Sequence, residues 1–388
     1  MNIESLIFEL SVIIFGAALL GTLFLYARQP IIIAYIAIGI LAGPNGLGII
    51  DQTHHIEQMS HFGVILLLFI IGINLQPSRL IKLFRKTALI TFSTSIFFGL
   101  LALILALLLR FDIHTSLIFG AAMMFSSTVV GLKLIPTTTL HHRRTGEFMT
   151  SVLLLQDILA ILVILLVTGE KSGNVPLTFA LLAGKFALLC LLSFGGVKYI
   201  MIPLFRRFDV VQEYTFLAAL GWCLLWAEAA NLAGLSYEMG AFIAGLSIAS
   251  CTIAYLIAEH LKPLREFFLI LFFFAVGAEL DFSLQPLLLI SAVIFGIALV
   301  PIKYGVFRLA FSRTGESHEL KKQLSVRLAQ SSEFSLLVSF SALAAGVMSM
   351  EAVMVIQIAT IVTFILSTYW VVLKYPTPIS GNSRLRKD

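Results

Sequence analysis

Four groups of polar residues interrupt otherwise apolar runs. Asp157 follows Gln156 in LLLQDILAILVILL, and Lys303 lies in ALVPIKYG. Ser126, Ser127 and Thr128 lie in FSSTVVG, and Gln330, Ser331, Ser332 and Glu333 in QSSEF. An ionisable group inside a membrane span is costly and marks a functional site by default. A carboxylate removed from water favours its protonated form, and a neighbouring cation favours the ionised one. One such carboxylate can hold a proton or an alkali cation, one at a time, and that competition couples two fluxes. Ser, Thr and Gln oxygens, with freed backbone carbonyls, can replace a cation's hydration shell. Hydroxyl-rich stretches in mid-span also suit broken helices, whose released backbone groups need partners. Other roles are open for some of these residues. Asp157 and Lys303 could form a structural ion pair, and the serines could be small helix-packing residues. Lys303 could be a ligand or a proton carrier. Glu333 reads as supporting, by orienting Lys303 or bonding the broken backbone, or as a proton site.

The elements that must position these groups are membrane spans. Of 388 residues, 59% are hydrophobic and only 12% charged, against about 25% charged in soluble domains. Runs of roughly 20 apolar residues, enough to cross the hydrocarbon, number thirteen: 5–26, 30–48, 58–75, 87–110, 115–136, 146–169, 175–201, 213–233, 237–256, 264–280, 287–311, 321–346 and 351–374. The fold class is therefore an all-α polytopic membrane protein. Arg110 and Lys171 are the only basic residues in loops on one side, and Lys185 and Lys303 fall inside spans; the rest of the 26 gather on the other side. That side is cytoplasmic by the positive-inside rule, which puts the N-terminus outside and the C-terminus inside and agrees with an odd number of spans. Cys190, Cys223 and Cys251 have no metal-ligand spacing. His54–His55 and His141–His142 read as solvated loop neighbours. The net charge of +5 lies in membrane loops and does not point to nucleic acid.

The chain also repeats. Phe69, Gly72, Leu75 and Ser78 of span three recur 205 residues later as Phe274, Gly277, Leu280 and Ser283 of span ten. The same offset carries Ser126–Ser127 of span five onto Ser331–Ser332 of span twelve. A shift of seven helices reverses direction through the membrane, so spans 1–6 and 8–13 are expected to be inverted copies, a design found in secondary transporters. Counting rise per residue, Asp157, Lys303 and both serine pairs lie roughly 12–17 Å from the cytoplasmic side. Gly131 and Pro136 favour a break in span five. Span twelve has no Gly or Pro before Gly346, so a break there is harder to read.

These residues resemble the membrane domain of the monovalent cation:proton antiporter-2 family, specifically the Kef-type potassium–proton exchangers. The likeness rests on SSTVV at Ser126–Val130, LLLQDILAI at Leu153–Ile161, FFFAVGAELDF at Phe272–Phe282, PIKYG at Pro301–Gly305 and QSSEF at Gln330–Phe334. It implies that spans five and twelve are crossed, unwound helices. It makes Asp157 the ion- and proton-binding carboxylate, Gln156 its neighbour in selectivity, favouring K+, and Lys303 the lysine that pairs with it. It implies a homodimer in the cell inner membrane, no cofactor, and monovalent cation and proton as the transported partners. Residues 1–375 then form the antiporter domain. Residues 376–388 form a short cytoplasmic tail without the nucleotide-binding domain that Kef-type proteins carry, and Glu259–Arg265 lies where the family has a regulatory loop. The expected function is K+/H+ exchange by alternating access, with Na+/H+ exchange and a cation channel as the alternatives. No HExxH or GxSG motif of an intramembrane enzyme is present in the spans.

Overall fold

Side chains this apolar leave the backbone no water to bond, so the peptide groups are satisfied inside helices. The computed structural model describes residues 3–29, 31–50, 54–74, 77–135, 144–169, 175–208, 211–280 and 285–377. In chain order its helices are α1 (Ile3–Tyr26), α2 (Ile31–Ala42), α3 (His54–Asn74), α4 (Pro77–Leu108), α5 (Ile113–Met123), α6 (Thr128–Lys133), α7 (Arg144–Gly169) and α8 (Val175–Gly196). A π turn (Val197–Met201) leads into α9 (Ile202–Phe208), followed by α10 (Gln212–Leu232), α11 (Tyr237–Ile248), α12 (Ala254–Ala278), α13 (Pro286–Phe311), α14 (His318–Arg327), α15 (Glu333–Ala344) and α16 (Met350–Lys374). No β-strand occurs among the described residues. Among the described residues, six stretches are long and apolar enough to cross a membrane by length and composition: Leu6–Tyr26, Thr87–Leu108, Gly184–Phe208, Glu213–Leu232, Pro286–Phe311 and Met350–Lys374. Shorter apolar helical stretches lie in runs two, three, five, six, nine and twelve, and run ten lies largely within α12.

Some boundaries differ from the expected spans. Run two stops being helical at Ala42, because Gly43–Pro44–Asn45–Gly46 turns the chain and Gly48 takes φ +61°. Run ten begins earlier than its apolar core, so Glu259–Arg265 lies inside α12 and is not a loop. Its charges are joined locally, Lys262 to Glu259 at 3.8 Å and Arg265 to Glu266 at 2.6 Å. Pro136, His141–His142 and the tail from 378 onward lie outside the described residues.

One compact unit comprises Met1–Asp51, Lys82–Val167 and Val276–Asp388. Its apolar core joins Phe98 of α4, Met149 and Leu153 of α7, Phe307 and Phe311 of α13, and Leu324 of α14. Helix α12 ends against α2 at Gly277, where a Cβ would stand 2.1 Å from the carbonyl oxygen of Ile36. Along α13, a Cβ on Gly296 would stand 2.9 Å from the Ala359 carbonyl of α16.

The second unit comprises Gln52–Ile81 and Thr168–Ala275. Here α3 crosses α11 backbone to backbone. A Cβ on Gly72 would meet the Phe242 carbonyl at 2.6 Å, and one on Gly245 the Phe69 carbonyl at 2.0 Å. Small residues permit this approach where lipid supplies no hydrophobic force between helices. Gly72 of run three thus packs on run nine, and its repeat partner Gly277 of run ten packs on run two. The glycines that signal the repeat in sequence have the same packing role in both copies.

Candidate functional site

Runs five and twelve are both broken. The helix stops at Met123 and resumes at Thr128, and it stops at Arg327 and resumes at Glu333. Serines enable both restarts. Ser127 Oγ accepts from the Val130 amide at 2.9 Å, and Ser332 Oγ accepts from the Phe334 amide at 3.1 Å. Ser335 completes a capping box by accepting from the Ser332 amide at 3.4 Å. A hydroxyl at this position gives a buried amide of the new helix the acceptor it would otherwise lack. Neighbouring helices hold the preceding residues. Gln156 Oε1 of α7 accepts from the Ser126 amide at 3.1 Å, and Thr363 Oγ1 of α16 accepts from the Ser331 amide at 3.0 Å. The two breaks therefore share one construction, and run twelve needs neither Gly nor Pro to make it.

Hydrogen bonds also tie the breaks to each other. Ser126 Oγ donates to the Leu328 carbonyl at 2.8 Å, and Gln330 Nε2 donates to the Ser127 carbonyl at 3.3 Å. Ser367 of α16 donates to Gln330 Oε1 at 3.0 Å. Lys303, with none of its surface exposed, donates to the carbonyls of Phe125 at 2.5 Å and Gln330 at 3.1 Å. Its ammonium also lies 5.1 Å from the centre of the Phe98 ring. Phe125 and Gln330 follow the C-terminal ends of α5 and α14. Each helix end carries about half a negative charge, so together they balance one ammonium.

Asp157 lies on α7, 1% exposed. Thr128 Oγ1 stands 2.9 Å from Oδ1 and 3.1 Å from Oδ2. Glu333 lies close enough to act on it electrostatically. Thr128 opens α6 and Glu333 opens α15, and they stand 205 residues apart, so they occupy equivalent places in the two copies. The crossing is polarised: carboxylates sit where half-helices begin, and the ammonium sits where they end.

The structure brings together most of the residues singled out from sequence, with changed partners in two cases. The expected Lys303–Asp157 pair does not form. Lys303 bonds to two carbonyls, and no ion pair between it and Asp157 occurs among the described residues. Gln156 directly precedes Asp157 in the chain, but its Oε1 takes the Ser126 amide and its Nε2 reaches Ser95 Oγ at 3.4 Å. Its amide thus holds the break in place. Ser331 Oγ is buried with no hydrogen-bond partner among the described residues. Lys185 and Glu228 are exposed on their helices. Several contributors were not read from the sequence. Thr363 and Ser367, with Thr360, form a hydroxyl row at helical spacing in run thirteen, a visible signal. Arg327 reads as a loop charge, yet it is among the largest fully buried side chains.

The family described as "Sodium/hydrogen exchanger, transmembrane" matches residues 12–374. The chain is 25% identical over 365 residues to the iron transporter MagA of Paramagnetospirillum magneticum, covering 93% of this chain and 83% of that protein. It is 28% identical to the glutathione-regulated potassium-efflux system protein KefC of an Enterobacter species, covering 92% of this chain and 58% of KefC. It is 29% identical to K(+) efflux antiporter 4 of Arabidopsis thaliana, covering 85% of this chain and 57% of the relative. The chain thus spans little more than half the length of these potassium-efflux relatives. The solved sodium proton antiporter MjNhaP1 of Methanocaldococcus jannaschii shares the fold, with a TM-score of 0.70 at 18% identity, over 96% of this chain and 97% of that one.

Proposed function

We propose that this chain, which belongs to the transmembrane sodium/hydrogen exchanger family, is a secondary antiporter and not an enzyme, exchanging a monovalent cation, K+ foremost, for H+. The carrying observation is Asp157. It is a fully buried carboxylate held by one threonine hydroxyl beside the crossing of two broken helices. Protonated, Asp157 is neutral and needs no counter-charge. Ionised, it attracts a cation, which Thr128, Ser331 and backbone oxygens at the break help to strip of water. These are hard oxygen ligands, suited to an alkali ion. Among the described residues no group of three or more His, Cys, Asp or Glu side chains is placed to hold a metal. Lys303 and Gln330 hold the crossing together, and Ser127 and Ser332 cap its half-helices. The names of the potassium-efflux relatives support K+. One competing carboxylate gives one-for-one, electroneutral exchange. The protein works as a homodimer in the cell inner membrane.

Proton flux in proteoliposomes tests this reading. A K+ gradient should drive proton movement in wild type but not in Asp157→Asn. Retained exchange in that variant refutes the assignment. The fold shared with a sodium proton antiporter favours Na+ as the second reading, and the same vesicles loaded with Na+ decide between the two.

A further inference from the structure

Arg327 takes no part in the chemistry assigned to Asp157, yet it is 1% exposed at the end of α14. A guanidinium this deep needs compensation. Its fork supplies two charge-assisted bonds in diverging directions. Nη1 donates to the Leu134 carbonyl at 2.7 Å, and Nη2 donates to the Pro376 carbonyl at 2.7 Å. Leu134 follows the C-terminus of α6, the second half of run five. Pro376 lies just beyond α16, where the chain leaves the last helix. Arg327 itself closes the first half of run twelve. One side chain therefore joins half-helices of both broken runs to the outgoing chain. Position 122, 205 residues earlier, is alanine, so the first copy has no equivalent.

From Arg327 a short unbroken route reaches the carboxylate. The next residue, Leu328, accepts the Ser126 hydroxyl at 2.8 Å. Ser126 leads through Ser127 to Thr128, which donates to Asp157 at 2.9 Å. We propose that Arg327 is a positioning residue for the cation site, and that the polypeptide leaving α16 at Pro376 acts on that site through it. A pull on the outgoing chain shifts Arg327, then Leu328, then the break that carries Thr128. The inference rests on Asp157 being the transport site. A lysine would be a poor substitute, because one ammonium lacks the fork that reaches both carbonyls.

The test is a pair of double-variant cycles in proteoliposomes, read as the apparent KM for K+. Arg327→Gln should raise KM roughly 3- to 30-fold, the span of long-range coupling energies. The increase should largely vanish beside Ser126→Ala, which already cuts the route. Pro376→Gly, which loosens the carbonyl, should raise KM in the wild-type background and have no effect beside Arg327→Gln. If Arg327→Gln does not fold, Arg327→Lys replaces it in both cycles, with a smaller increase that Ser126→Ala again removes. An unchanged KM, or equal effects in both backgrounds of either cycle, overturns the proposal and leaves Arg327 a packing residue. Exchange that survives in Asp157→Asn instead refutes the underlying site assignment.

Discussion

The hydroxyl of Thr128 lies within hydrogen-bond reach of both carboxylate oxygens of Asp157, at 2.9 and 3.1 Å. The first residue of a half-helix thus holds a buried acid on a neighbouring helix, and the position of the break sets the environment of that acid. A hydrogen bond to a charged group contributes about 1.5–3 kcal/mol, and about 1.4 kcal/mol is tenfold in affinity. Thr128→Val should therefore weaken the apparent affinity for the transported cation about tenfold or more. Thr128→Ser, which keeps the oxygen, should stay near wild type. Cation titrations of proton flux check both.

Lys303 should matter first for integrity. Lys303→Met leaves the Phe125 and Gln330 carbonyls without their donor, at about 1–3 kcal/mol for each buried group left unpaired. Thermal unfolding of the purified protein should fall accordingly. Because Lys303 bonds to backbone and not to Asp157, adding Asp157→Asn should not restore the lost stability. Restoration would show that the two charges balance each other.

Gln156→Leu should slow transport of K+ and Na+ alike. Its Oε1 is the acceptor for the Ser126 amide, so removing it disturbs the break and does not retune a cation ligand. The ratio of K+ to Na+ flux is the deciding readout. A changed ratio at unchanged rate would place the amide at the ion.

The repeat glycines give a packing prediction. Even a methyl group on Gly277 would meet the Ile36 carbonyl at 2.1 Å, and one on Gly72 the Phe242 carbonyl at 2.6 Å. Backbone has to move in either case. Gly72→Ala and Gly277→Ala should each lower thermal stability by about 1–3 kcal/mol, the usual cost of overpacking. Gly305→Ala, with open space at its Cβ, should be tolerated.

Much of this was legible in the chain because membrane physics is strict. Apolar runs must be helices, a charge such as Asp157 in mid-span needs a function, and a 205-residue offset linking Gly72 to Gly277 and Ser126 to Ser331 marks a repeat. What stayed hidden was partner choice. Nothing in the order of residues says that the Lys303 ammonium meets two helix-end carbonyls, since that depends on where both helices break. Run twelve lacks the glycine or proline that announces a break, and its break became readable only through the Ser332–Ser335 cap. Arg327 misled for a related reason. A basic residue near a span end usually faces headgroups, but this one is buried because two backbone carbonyls meet it. The α16 hydroxyls Thr363 and Ser367 carried a visible helical spacing, yet only the neighbouring break gave them a role.

In the proposed mechanism a proton and a cation compete for Asp157. The most direct measurement adds K+ to purified wild-type protein in weakly buffered detergent solution and counts the protons released. About one proton should be released per cation bound by wild type, and none by Asp157→Asn. Equal proton release from the two proteins would contradict it.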